Sequence, residues 1–161
     1  PIAPTISFAF ILGQVSQGIE PIWSNCYVKD IAKIKVTIKN PYLMDLLEEK
    51  GQNTAEVWRS IRDMDGSVQH LDFLTEEEKA VFKTYSELDQ LDIIYQAAKR
   101  QNHIDQGQSV NIIVHPEMPT KEINKIHVTA WKLVLKSLYY QHSMNAAQQF
   151  KHQKDCTSCE A

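Results

Sequence analysis

Apolar and polar positions alternate from Ile34 to Ile38 in "KIKVTIK", the period of a half-buried strand, and the strand-like stretch reaches back through "CYVKD". Ahead of it, "APTISFAFILG" opens with turn and capping residues and then becomes apolar. That pattern predicts a loop leading into a buried helix, with Thr5 or Ser7 as its N-cap. "GIEPIWSN" is a turn-rich connector between the two. After the strands, Asn40 caps a short helix with Pro41 at its first position and Gly51 just past its end. Asn53 or Thr54 starts a further helix through about Met64, carrying Val57, Trp58 and Ile61 on one face. "SVQHLDFL" has no period and reads as irregular. Thr75 and Glu78 have the spacing of a capping box and open a long helical stretch, with room for one break, to about Arg100. "QSVNIIVH" predicts a short buried strand, "PEMPT" a turn, and Thr120 the start of a last helical region running to about Tyr139. From Ser143 onward the chain is polar and is expected to be mobile.

The order helix, strands, several helices, strand, helix, tail is α/β material. Two or three scattered strands do not close a sheet by themselves, so the expected fold is part of a larger sheet or barrel. A length of 161 residues suits one domain or a piece of a larger one. The net charge of −3 argues against a nucleic-acid partner, which would call for a basic surface. No apolar run approaches the ~20 residues that span a bilayer, and no signal peptide opens the sequence. The expected location is therefore cytoplasmic, with no membrane partner. Three cysteines is an odd number, which speaks against a secreted disulfide framework. Cys26, within the strand pattern, reads as a small buried hydrophobe. Cys156 and Cys159 lie among Lys, Gln, Ser and Thr and read as exposed.

Two features near the C-terminus carry chemistry. In "KSLYYQH", Tyr139 and Tyr140 are adjacent phenols. One-electron oxidation makes a phenol proton strongly acidic, so electron and proton leave together from a group whose ordinary pKa is ~10. Exchange between two such groups needs the rings close together, and neighbours in sequence do not face each other on an α-helix. The helix is therefore expected to be distorted or to end at this pair; the plainer alternative is that both rings pack at a helix terminus. In "DCTSCEA", Cys156 and Cys159 have the two-residue spacer that lets one thiol resolve a mixed disulfide formed by the other. A flexible chain of the roughly 16 residues from Tyr140 to Cys156 spans ~22 Å on average. A competing reading is tetrahedral zinc held by His142, His152, Cys156 and Cys159, which are suitable ligand types. Against it, Met144 and Phe150 are almost the only apolar residues available to pack around a metal, and the histidine spacing is not that of a finger. At the other end, Pro4-Thr5-Ile6-Ser7-Phe8 could present helix N–H groups and hydroxyls to an anion, or be a plain N-capped core helix.

Four stretches and the terminal Cys-x-x-Cys fall in one order: "PTISFAFILG", "GIEP", "HIDQGQSVNI", "WKLVLKSLYY", then the cysteine pair. Together they resemble the C-terminal portion of the large, catalytic subunit of class I ribonucleotide reductase, over essentially the whole chain. The resemblance implies an α/β fold: the C-terminal part of a ten-stranded α/β barrel (residues 1–142) followed by a flexible redox tail (143–161). It implies reduction of ribonucleoside diphosphates to deoxyribonucleoside diphosphates, the precursors for DNA replication. Tyr139 and Tyr140 match the tyrosine pair on the radical path, and Cys156 and Cys159 match the tail dithiol. Thr5, Ile6, Ser7 and Phe8 match the substrate-phosphate segment, with one departure. The family often has Ser or Thr where this chain has Phe8, so a hydroxyl contact there is lost while a backbone contact would survive.

The same resemblance implies that no cofactor is bound by this chain. A separate metal-containing small subunit supplies the radical, and thioredoxin or glutaredoxin reduces the tail. The thiyl-radical cysteine and the substrate-reducing cysteine pair of the family lie upstream of the "PTIS" stretch, and Cys26 matches none of them. The chain is therefore expected to act only with the upstream portion of the large subunit, and its strand edges are expected to be unsatisfied when it is alone. Pro1 fits removal of an initiator Met, and a separately encoded C-terminal half is the expectation. A non-enzymatic interaction module with a zinc-binding tail is the alternative. Glu20 and Asp105-Gln106 read as hydrogen-bonding residues that hold loops and strand ends. His103, His115 and His127 read as ordinary histidines.

Overall fold

The computed structural model describes residues 1–4, 8, 16, 18–31 and 34–143. Their elements in chain order are β1 (Cys26–Ile31), β2 (Ile34–Lys39), α1 (Pro41–Glu49), α2 (Ala55–Asp63), α3 (Glu76–Val81), a 3-10 turn at Tyr85–Glu87, α4 (Gln90–Gln101), β3 (Ile112–Ile113), α5 (Thr120–Lys132) and β4 (Gln141–His142). Among these residues the strands form two two-stranded sheets, β1-β2 and β3-β4. No helix among them is long and apolar enough to cross a membrane. The described residues divide into two compact units. One lies within Pro21–Glu87, with Phe8 and Ser16; the other comprises 88–143 with the segments 1–4 and 18–20.

In the first unit β1 and β2 pair antiparallel, from Cys26 opposite Lys39 to Ile31 opposite Ile34. The expected strand is thus a hairpin. Asn40 ends it and starts α1: its side chain accepts from the Tyr42 N–H, and Pro41 takes the first helical position, where its missing N–H costs nothing. α1 ends as its glycine predicts. Gly51 is left-handed at φ +65°, its N–H reaches the Glu48 carbonyl and the Gln52 N–H reaches Leu47, a Schellman ending. α2 starts at Thr54, whose hydroxyl accepts from Val57 N–H, and ends the same way with Asp65 at φ +54°. The capping box at Thr75 and Glu78 is formed in both directions. Leu43, Leu47, Trp58 and Ile61 of the helices pack with Cys26 and with Val68, Leu71 and Leu74 from the irregular stretch. Cys26 is the buried hydrophobe its surroundings predict.

A buried polar network ties this core together. The Asn25 side chain donates to the carbonyls of Gly66 and Phe82 at 2.9 and 2.8 Å, and its oxygen accepts from the Asn40 amide at 2.9 Å. Gly66 is required where it lies: its φ is +86°, and a Cβ there would come within 2.0 Å of Ser24 Oγ.

In the second unit Asp89 caps α4, and Ile93, Ile94 and Ala97 bury its apolar face. Ile126 and Ala130 do the same for α5. β3 and β4 pair in parallel, Ile112 opposite Gln141 and Ile113 opposite His142. The backbone of Ile2 bridges to Gln108 on the same strand segment.

The stretch from Thr75 to Arg100 is broken once, as the sequence allowed, around the 3-10 turn, and α3 and α4 fall in different units. One expectation about helix extent needs correction: the last helix ends at Lys132, not near Tyr139. The cause is a Schellman ending built on Val134: its N–H reaches the Trp131 carbonyl, the Leu135 N–H reaches Ala130, and Val134 has φ +61°. A β-branched residue is a poor left-handed residue, so no sequence signal marks this stop.

Candidate functional site

Tyr139 and Tyr140 lie beyond the helix, just before β4, where the chain runs beside the strand segment 107–114. The hydrogen bonds define an irregularity at that point. The Tyr139 N–H donates to the Val110 carbonyl at 2.8 Å, and the Ile112 N–H donates to the Tyr140 carbonyl at 2.9 Å. One residue, Asn111, separates the two groups on the first strand; two residues, Tyr139 and Tyr140, separate them on the second. This is the arrangement of a β-bulge. Farther on, the ladder is regular, with the Val114 N–H on the His142 carbonyl at 2.8 Å.

The bulge explains how adjacent side chains meet. Neither a helix nor a regular strand turns neighbouring residues to the same side. An extra residue breaks the alternation, and the two phenol rings stand 4.3 Å apart between centroids, inclined at 66°. The expectation that the helix would be distorted or end at this pair is not met: the helix stops at Lys132, and the rings meet at a strand irregularity seven residues farther on. Both tyrosines are exposed. The hydrogen bond with the Tyr140 phenol, and after it the charge Tyr140 would carry, hold the Tyr139 phenol above its usual value of 10.0. Tyr139 is thus a neutral phenol at neutral pH, the form from which electron and proton depart together. The His142 ring lies on Tyr140 as well, at 5.9 Å between centroids.

The opposite edge of the 107–114 segment has no further strand among the described residues, yet its N–H groups are satisfied. Ser109 donates to the Ile2 carbonyl at 2.9 Å. Asn111 N–H and its side-chain amide donate to Glu20 Oε1 and Oε2 at 2.6 and 2.7 Å. Ile113 N–H donates to Gln90 Oε1 at 2.8 Å. The Ile2 carbonyl and two side chains thus take up the N–H groups of an edge that was expected to stay open. Glu20 does hold a strand, as read from the sequence, and the Asp105 and Gln106 carbonyls accept from Lys136 and Gln101.

Of the other sequence candidates, Phe8 is in a helical conformation and 68% exposed. Thr5, Ile6 and Ser7 lie outside the described residues, as do Cys156, Cys159 and His152. The structure therefore brings together the tyrosine pair, and His142 with it, but does not describe the phosphate segment or the dithiol. His103, His115 and His127 are exposed. Asn111, opposite the bulge, and Gln90, whose side chain replaces a neighbouring strand, were not singled out from the sequence. Only a polar residue beside an apolar run could have pointed to them.

Residues 1–141 match the family model for the ribonucleotide reductase barrel domain. The chain is 39% identical over 173 residues to the ribonucleoside-diphosphate reductase large subunit of Invertebrate iridescent virus 3, covering 99% of this chain and 28% of that one. It is 37% identical to the large subunit of Caenorhabditis elegans, covering 90% of this chain and 19% of that one. Among solved structures, the class Id ribonucleotide reductase alpha subunit of Actinobacillus ureae superposes with a TM-score of 0.80 at 54% identity, over 92% of this chain and 26% of that subunit. The chain belongs to the ribonucleotide reductase barrel-domain family. It corresponds to a C-terminal portion of a large subunit and spans less than a third of the length of these relatives.

Proposed function

We propose that this chain is the C-terminal part of the large subunit of a ribonucleoside-diphosphate reductase and works only together with the upstream portion. In that reading residues 1–142 complete the barrel and 143–161 form the redox tail. Thr5, Ile6, Ser7 and Phe8 bind the substrate diphosphate. Tyr139 and Tyr140 pass a radical from a small radical-generating subunit toward the active site. One electron and one proton move from one phenol to the other, leaving a neutral phenoxyl behind and restoring the first radical to a phenol. Cys156 and Cys159 give two electrons to an oxidised cysteine pair upstream, becoming a disulfide that thioredoxin or glutaredoxin reduces by exchange. The reaction is cytoplasmic.

The observation that carries this reading is the bulge at Tyr139 and Tyr140, which sets two phenol rings 4.3 Å apart. Packing alone would not call for a strand irregularity that turns two exposed aromatic rings onto each other. The test combines this chain, the upstream portion and the small subunit with a ribonucleoside diphosphate and thioredoxin. Deoxyribonucleotide should form only when this chain is present. The Cys156→Ser/Cys159→Ser variant should fail with thioredoxin and work with a small dithiol that reaches the active site directly. No product in any mixture, with the chain folded and soluble alone, would overturn the reading.

A further inference from the structure

We propose that Glu20 is a positioning residue for the tyrosine pair, acting through Asn111 to keep the bulge in place; the inference rests on the function proposed above. Each Glu20 oxygen accepts from Asn111, one at 2.6 Å from its N–H and the other at 2.7 Å from its side-chain amide. Asn111 is the single residue that faces the two tyrosines across the ladder. The two contacts are charge-assisted and lie at or below the short end of the N–H···O⁻ range. They fix both the backbone and the side chain of Asn111, so the residue cannot rotate or slide along the strand. The residues on either side of it, Val110 and Ile112, make the hydrogen bonds that bracket the bulge.

A bulge competes with the regular ladder. If Asn111 is released, the strand at 139–142 can shift by one residue and restore ordinary pairing. A shift of one residue turns a side chain to the other face of a sheet. The contact between the two phenols would be the first thing lost. Glu20 is 119 residues from Tyr139 in sequence and touches neither ring, so its effect runs through the backbone.

Two readouts in the assembled reductase test this, using Glu20→Ala and Glu20→Gln. Glu20→Ala removes both acceptors and should lower kcat by about tenfold to 100-fold, the effect of misplacing reacting groups by around an ångström. KM for the nucleoside diphosphate should stay within about twofold. Glu20→Gln keeps an acceptor for the backbone N–H and should recover most of the turnover. The second readout is 19F NMR of fluorotyrosine-labelled chain, with the Tyr139 signal assigned through Tyr139→Phe. The Tyr139 phenol should titrate at a lower pH in Glu20→Ala than in the wild type, because its bond to Tyr140 is gone. A merely structural glutamate would lower stability without moving that titration. If Glu20→Ala does not fold, Asn111→Ala removes one of the two bonds and should give the same changes in smaller measure. An unmoved Tyr139 titration, or turnover within twofold of wild type while Tyr140→Phe abolishes it, overturns the role of Glu20 alone. Full turnover in Tyr140→Phe overturns the radical-path reading instead, and the titration still decides the role of Glu20.

Discussion

Replacing Asn25 with alanine should be the most damaging polar substitution in the Pro21–Glu87 unit. Asn25 is fully buried, and its side chain makes three hydrogen bonds, to Gly66, Phe82 and Asn40. These join the start of β1 to the end of α2, to the end of α3 and to the cap of α1. Each bond contributes about 1 kcal/mol net, and a buried partner left unsatisfied costs more. The Gly66 carbonyl keeps the Asn25 backbone N–H at 3.4 Å, so its loss is partial. The Asn40 amide, itself buried, loses the partner it has in Asn25. The expected cost is therefore about 3 kcal/mol. With a urea slope of ~2 kcal/mol/M, the unfolding midpoint should fall by about 1.5 M. Tryptophan fluorescence of the full chain reports it, since Trp58 is buried in the same core. Asn40→Ala should cost about 2 kcal/mol, from the same bond and the helix cap, and the double variant should cost about 1 kcal/mol less than the sum. A midpoint shift below about 0.3 M for Asn25→Ala, or strict additivity with Asn40→Ala, would refute the claim that this network holds the unit together.

Val134→Gly should stabilise the chain by about 1 kcal/mol, read from the same urea titration, because the left-handed φ of +61° costs a β-branched residue that much and glycine almost nothing. Glu78 has its pKa lowered from 4.5, first by the hydrogen bond with Lys50 and then by that with the Thr75 backbone. A lowered carboxyl pKa stabilises the fold above the unfolded value, and that contribution is lost as pH falls through the folded value. The acid limb of a stability profile below about pH 4.5 should therefore be shallower in Glu78→Gln than in the wild type. Tyr139 has the opposite sign: its raised pKa favours the neutral phenol in the folded chain, a contribution present below pH 10 and lost as pH rises through the folded value. In Tyr140→Phe the Tyr139 phenol should ionise at a lower pH than in the wild type, followed by the phenolate absorbance in a Tyr139→Phe-referenced titration.

Elements whose ends are written in local side-chain chemistry were legible in the sequence. Asn40-Pro41 and Gly51 mark both ends of α1, and Thr75 with Glu78 marks the start of α3, because caps act over three or four residues. The end of α5 was not legible. "WKLVLKSLYY" keeps a helical spacing of apolar residues, and the stop is made by a valine held left-handed by hydrogen bonds to Trp131 and Ala130. The site divides the same way. Adjacent tyrosines are visible in the sequence, and their need to leave the helix follows from side-chain direction alone. That they meet in a bulge, opposite an asparagine held by a glutamate 91 residues earlier, depends on strand register, which local periodicity does not encode.

The most direct test of the tyrosine pair's role is turnover of the assembled enzyme carrying Tyr140→Phe. Phenylalanine keeps the ring and removes the hydroxyl, so packing at the bulge is retained while the proton-coupled step is blocked. Deoxyribonucleotide formation should fall to background, with nucleoside diphosphate binding unchanged by equilibrium titration. Turnover at the wild-type rate in that variant would contradict radical transfer through the pair and leave Tyr139 and Tyr140 as packing residues.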